Sequence, residues 1–106
     1  MSTDYHFHGM TARADMIEAL EQYVNVGMPL GDFLRSVVSN DLREACGRAD
    51  HQNLHNIPAL VAWLYNTDSV PGICWGSPQR YKDWLDRHAA IRAAKARAST
   101  ESGDAP

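Results

Sequence analysis

An all-α fold, a compact bundle of about four helices with a long Pro/Gly loop before the last helix, is what this chain predicts, on three observations. Apolar residues recur at three-and-four spacing in four successive segments. Strong stop and start residues separate those segments. No run alternates apolar and polar residues over a useful strand length. The 106 residues suffice for one domain that buries roughly 60–70% of the surface its unfolded form exposes.

Residues 1–10, MSTDYHFHGM, show neither helical periodicity nor a cap, and are expected as an N-terminal arm in which Tyr5 and Phe7 could pack. Thr11 is the expected N-cap of a first helix running to about Val26, with Ile17, Leu20, Tyr23 and Val24 on one face. It opens a single helical domain spanning residues 11–98, and Gly27 supplies its first stop.

The run LGDFLRSVVSNDLREACGRAD, from Leu30 to Asp50, predicts a second helix with Pro29 in its first turn and an end between Gly47 and Asp50. Its buried stripe is expected to hold Leu30, Phe33, Leu34, Val37, Val38, Leu42, Ala45 and Cys46. The outward face would carry Asp32, Arg35, Ser36, Ser39, Asn40, Arg43, Glu44 and Arg48. Asp41, between Val38 and Leu42, is expected to be partly buried and to need a backbone N–H or an arginine as partner.

Pro58 places the main third helix at about Asn56 to Asn66, after a short helical turn, with Leu60, Val61, Leu64 and Tyr65 inward. TDSVPGICWGSP is the long connection. Ser77 followed by Pro78 is a strong helix start, one residue to cap and one to occupy the first turn. The fourth helix would turn Tyr81, Trp84, Leu85, His88 and Ile91 inward and decay into AAKARA, leaving residues 99–106 as a disordered tail.

The net charge of −3 argues against whole-surface attraction to nucleic acid or anionic lipid. The distribution is uneven: residues 80–98 carry six basic and two acidic side chains, whereas residues 1–79 carry four basic and nine acidic. Cys46 and Cys74 have no metal or redox spacing and are expected as free thiols. No signal peptide and no apolar run of membrane-spanning length is present, so the reading is a soluble, cytoplasmic protein. His51 and His55 are spaced for a metal, but no glutamate follows His51 as in a metalloprotease, and no metal or other cofactor is expected. Nucleophile elbow, Walker loop and dinucleotide fingerprint are likewise missing, which favours a nonenzymatic protein.

Two features remain as candidate binding residues. Asn40, Arg43, Glu44 and Arg48 bring directed hydrogen bonding and arginine forks to one helix face. Trp75, Gly76 and Ser77 form a loop before a helix N-terminus, where an anion could sit and Trp75 could stack on a base. Each also has a plainer explanation, as a solvated face and as a capped helix with a hydrophobic staple.

The segments LGDFLRSVVSNDLREACGRAD, PALVAWLYN and CWGSP together resemble a group of small phage- and prophage-encoded helical proteins, over about Leu30 to Leu85. The resemblance implies a bacterial-cytoplasm setting and an accessory gene of the kind among which inhibitors of host defence occur, and it carries over no catalytic residue. The expected function is therefore that of a phage-type accessory protein that blocks or sequesters a host component. A sponge for a small (cyclic) nucleotide held between Arg43, Arg48 and the Trp75–Ser77 loop is the alternative, and a phage structural or morphogenesis factor a further one. Trp63, Trp75 and Trp84 on so small a chain predict a homo-oligomer.

Overall fold

The computed structural model describes residues 3–104, with side chains to residue 98. Two short strands, β1 (Tyr5–Phe7) and β2 (Met10–Ala12), precede α1 (Ala14–Val26), α2 (Asp32–Val38), α3 (Leu42–Arg48) and α4 (His51–Asn66). A 3₁₀ turn at Gly72–Cys74 then leads into α5 (Pro78–Asp104). The protein is mostly helical, with one small sheet that the sequence reading did not contain.

That sheet replaces the extended arm. β1 and β2 pair antiparallel with Tyr5 opposite Ala12 and Phe7 opposite Met10. The two residues between them, His8 at φ 49° and Gly9 at φ 80°, give the turn the left-handed backbone that a tight hairpin needs. The hairpin lies on α4, where the Thr11 N–H donates to Asn56 Oδ1 at 2.8 Å. Thr11 is therefore a strand residue and not the cap of α1. Asp4 takes that role from across the hairpin, accepting from the Ala14 N–H at 2.7 Å. Residues 1–2 of the expected arm lie outside the described residues.

Ile17, Leu20, Tyr23 and Val24 are buried as expected. Gly27 ends α1 in the left-handed region at φ 70°, its N–H donating to the Tyr23 carbonyl at 3.0 Å. The expected second helix is in fact two. Pro29 precedes the helical residues, and α2 starts at Asp32 behind Gly31. It ends at Ser39–Asn40–Asp41, three residue types whose side chains compete for backbone hydrogen bonds and favour turns over helix interiors. Asn40 adopts φ 60°, while the Asn40 and Asp41 N–H groups donate back to the Val37 and Ser36 carbonyls at 3.1 and 2.9 Å. This is a Schellman closure with Asn in the glycine position. Asp41 then caps α3 by accepting from the Glu44 N–H at 3.1 Å, which supplies the backbone partner that its position demanded.

The break resets the helical phase. Ala45 is buried, but Leu42 and Cys46, both expected in the buried stripe, face solvent, Leu42 at 66% exposure. Ser36 and Ser39, expected outward, are buried instead, with Ser36 Oγ donating to the Asp32 carbonyl at 2.8 Å.

α4 begins five residues earlier than expected and runs through Pro58 without interruption. Asp50 caps it, accepting from the Asn53 N–H at 2.7 Å. Pro58 is tolerated in the third turn because it sits on an exposed side, where the Leu54 carbonyl it leaves unbonded can meet water. Covered by the hairpin on one flank and by α2 and α3 on others, α4 buries Ile57, Ala59, Leu60, Ala62, Trp63 and Leu64. Val61 and Tyr65, expected inward, are exposed.

The long loop closes the core. Tyr23 donates its hydroxyl to the Cys74 carbonyl at 2.6 Å, and the Trp84 indole N–H donates to the Tyr23 carbonyl at 2.9 Å. The Tyr23 ring stacks on Tyr81 with centroids 5.3 Å apart, so one residue of α1 joins the loop and α5. Trp63 and Trp84 are each 8% exposed and Trp75 packs half-buried against the same core. The three tryptophans thus pack in or against one core.

α5 starts at Pro78 as expected, with Ser77 Oγ accepting from the Arg80 N–H at 3.1 Å. Tyr81, Trp84, Leu85 and His88 face the core, but Ile91 is exposed. The helix continues to Asp104, into the stretch expected to be a disordered tail, and its outer half gives the molecule its 59 Å long axis. Residues 105–106 lie outside the described residues.

Candidate functional site

The seven candidate residues separate into three groups with different local chemistry. Glu44 and Arg48 belong to an ion-pair lattice that ties α3 to α2. Arg48 Nε lies 3.2 Å from Glu44 Oε2, and Arg48 Nη1 lies 3.2 Å from Asp32 Oδ2. Arg35 Nη2 meets the other oxygen of Asp32 at 3.0 Å. The four side chains carry two charges of each sign, and the open hollow of about 460 Å³ lined by Asp32, Phe33, Glu44, Gly47 and Arg48 is faced by two carboxylates and one guanidinium, which disfavours an anionic ligand there. Each pair is half-exposed, and such surface pairs contribute about 0–1 kcal/mol.

Trp75, Gly76 and Ser77 form a second group, held by the fold itself. The Gly76 N–H donates to the Val38 carbonyl at 2.7 Å, fastening the loop to the end of α2. Arg80, which sequence reasoning passed over, donates from Nη1 to the Gly72 and Trp75 carbonyls at 3.2 Å each. Gly76 sits at φ 112°, and a Cβ there would stand 3.2 Å from that guanidinium. Ser77 Oγ is engaged by the helix it caps, and Trp75 lies against the core. The loop is thus fastened as a structural strap. It contributes no residue to the hollow beside Arg48, and the expected arginine–tryptophan clamp is not assembled.

Asn40 and Arg43 form the third group. The Arg43 side chain is exposed and makes no hydrogen bond or ion pair among the described residues. The break places Asn40 between α2 and α3, off the helix that carries Arg43, Glu44 and Arg48, so the four do not share one helix face. Asn40 instead lines a small cavity of about 40 Å³, together with Ser36, Val37, Asp41, Leu42, Ala45, Ile57 and Val61.

Around that cavity lies a surface the sequence reading missed. Leu54, Pro58, Val61 and Tyr65 fall at helical spacing along α4, and all four are exposed, Tyr65 at 79%. Leu42 and Cys46, one turn apart, are exposed on α3. Leu42 and Val61, one from each set, line the cavity together with the buried Val37, Ala45 and Ile57. Leu60, Val61, Leu64 and Tyr65 share three-and-four spacing, so local periodicity groups them on one stripe; only the packing separates the buried Leu60 and Leu64 from the exposed Val61 and Tyr65.

His51 and His55 stack with centroids 5.9 Å apart, and among the described residues no group of three or more His, Cys, Asp or Glu side chains is placed to hold a metal ion. Both cysteines are free, Cys46 exposed and Cys74 buried. Burial pushes the Cys74 thiol up to about 11 and raises the Tyr23 phenol as well, so both stay neutral at physiological pH. No helix among the described residues is long and apolar enough to cross a membrane. Protein-family models, curated proteins and solved structures were compared with the chain, and none matches.

Proposed function

We propose that this chain is a nonenzymatic, phage-type accessory protein that binds a protein of its bacterial host through the α3–α4 face. The single observation that carries the reading is the exposed apolar set of Leu42, Leu54, Pro58, Val61 and Tyr65, in which Leu42 and Val61 meet at one cavity and the unpaired Arg43 follows Leu42 in α3. An aromatic exposed to this degree beside aliphatic side chains and a free guanidinium matches the composition of interface centres, where Tyr and Arg are enriched. The partner segment would insert an aliphatic side chain over Val37, Ala45 and Ile57 and offer a carboxylate to Arg43. Asn40 stays in the site as a cavity-lining residue. Glu44, Arg48 and the Trp75–Ser77 strap hold the surface in shape.

Purified partner selected from host lysate by the wild-type chain, then titrated against Leu42→Glu, Val61→Glu and Arg43→Ala variants, tests the reading. Both glutamate variants should weaken binding at least tenfold with far-UV circular dichroism unchanged, since they are at exposed positions. Equal binding by all variants would dismiss this face. A concentration-dependent dimer of the wild type that the same substitutions dissolve would assign the face to a second copy in place of a host protein.

A further inference from the structure

A second cleft, sharing no residue with the α3–α4 face, lies between the C-terminal end of α1 and the middle of α5. It has a volume of about 410 Å³ and is lined by Asn25, Val26, Met28, His88, Ile91, Arg92 and Lys95. Val26, Met28 and Ile91 are all exposed, although nothing in their types requires contact with water. His88, Arg92 and Lys95 come from one side of α5 at spacings of four and three residues. No carboxylate lines the cleft.

We infer that this cleft is a docking site for an acidic, amphipathic peptide segment of another protein. Apolar side chains would be covered by an aliphatic stripe of the incoming segment, and its flanking carboxylates would meet Lys95 and the outer edge of Arg92. Arg92 is already oriented for this: Nη1 donates to the Val26 carbonyl at 2.6 Å, which fixes the side chain across the cleft and leaves its other N–H groups available. Lys95 makes no hydrogen bond or ion pair among the described residues. Residues 80–98 carry the chain's local excess of positive charge, which disfavours pairing of α5 with its own copy and favours a partner of opposite sign. The volume lies within the range of sites that hold a ligand, but its open side and its continuation along the exposed helix suit a segment of chain better than a small enclosed molecule.

The test uses the full chain and a fluorescein-labelled amphipathic peptide of leucine and glutamate, followed by anisotropy, with amide chemical shifts mapping the contact. Expected is saturable binding that shifts the amides of Val26, Met28, Ile91 and Lys95. It should weaken at least tenfold in Lys95→Glu and in Ile91→Glu, weaken as salt is raised, and stay unchanged in Leu42→Glu. Equal binding of a leucine–lysine peptide, indifference to Lys95→Glu, or shifts confined to other residues would overturn the inference. So would binding of vesicles of phosphatidylglycerol and phosphatidylcholine with no binding of the peptide, since the cleft would then serve a lipid surface.

Discussion

Replacing Tyr23 by Phe should be the most destabilising removal of a single oxygen in this protein. The hydroxyl is fully buried and donates at 2.6 Å to the carbonyl of Cys74, itself 0% exposed. The ring would keep its stacking on Tyr81, and the Trp84 indole would keep its bond, since that bond uses the Tyr23 backbone. Only the strap over the core is affected, losing its bond to α1 through this hydroxyl while the Gly76 and Arg80 bonds remain. A net hydrogen bond is worth about 0.5–1.5 kcal/mol, and an acceptor left unpaired in the interior costs about 1–3 kcal/mol, so a loss of about 2 kcal/mol is expected. In urea unfolding followed by tryptophan fluorescence, that loss moves the midpoint down by about 1–2 M for a slope of about 1–2 kcal/mol/M. Tyr81→Phe is the companion measurement. Its hydroxyl accepts from the Leu30 N–H at 3.0 Å in a partly buried setting, so about 1 kcal/mol or less should be lost. A Tyr23→Phe midpoint within about 0.3 M of wild type at unchanged slope would refute the anchoring role.

Gly27→Ala should cost more than the ~1 kcal/mol expected from left-handed backbone alone, because the new Cβ would fall 2.2 Å from the Cβ of His88; thermal unfolding of the purified variant checks this. Asp50→Ala should remove about 1 kcal/mol as a lost cap of α4, whereas Arg48→Ala should remove less than about 1 kcal/mol, and paired denaturation curves would show the order. Stability should also fall above pH 9. The Cys74 thiol is raised from 9.0 to about 11, so between those values the unfolded chain releases its proton while the folded chain retains it; the contribution is complete below pH 9 and fades as the pH climbs to 11. Unfolding free energies from urea titrations at pH 8 and pH 10 should differ by about 1 kcal/mol more in wild type than in Cys74→Ala. Without denaturant, a maleimide should label Cys46 at once and Cys74 only on unfolding.

Elements defined by local chemistry were legible in the sequence. Gly27 as a left-handed stop, Ser77–Pro78 as a start and the inward set Ile17, Leu20, Tyr23 and Val24 all depend on neighbours within one or two turns. Failures arose where tertiary structure decided. The apolar pattern from Leu30 to Asp50 is continuous enough to read as one helix, and only the three turn-forming residues Ser39, Asn40 and Asp41 announce the break. The hairpin was hidden because its strands are three residues long and its turn is His-Gly, and because α4, 45 residues away, supplies the Asn56 side-chain oxygen that holds it. Of the candidate site, Asn40 and Arg43 line or border the apolar face. The roles of Glu44, Arg48 and the Trp75 loop became visible only once their partners, Asp32 from α2 and Arg80 from α5, were placed in space.

Residues 92–98 of α5 are all exposed, so that outer segment draws its stability from helix–coil propagation along an alanine-rich stretch and little from the core. Folding of this chain therefore has two levels of cooperativity. Warming should unwind the outer end of α5 gradually while the core melts as a unit, and ellipticity at 222 nm will begin to decline before tryptophan emission changes. Trp63, Trp75 and Trp84 all sit in or against that core, so their fluorescence isolates the global transition from the fraying of the helix beyond it.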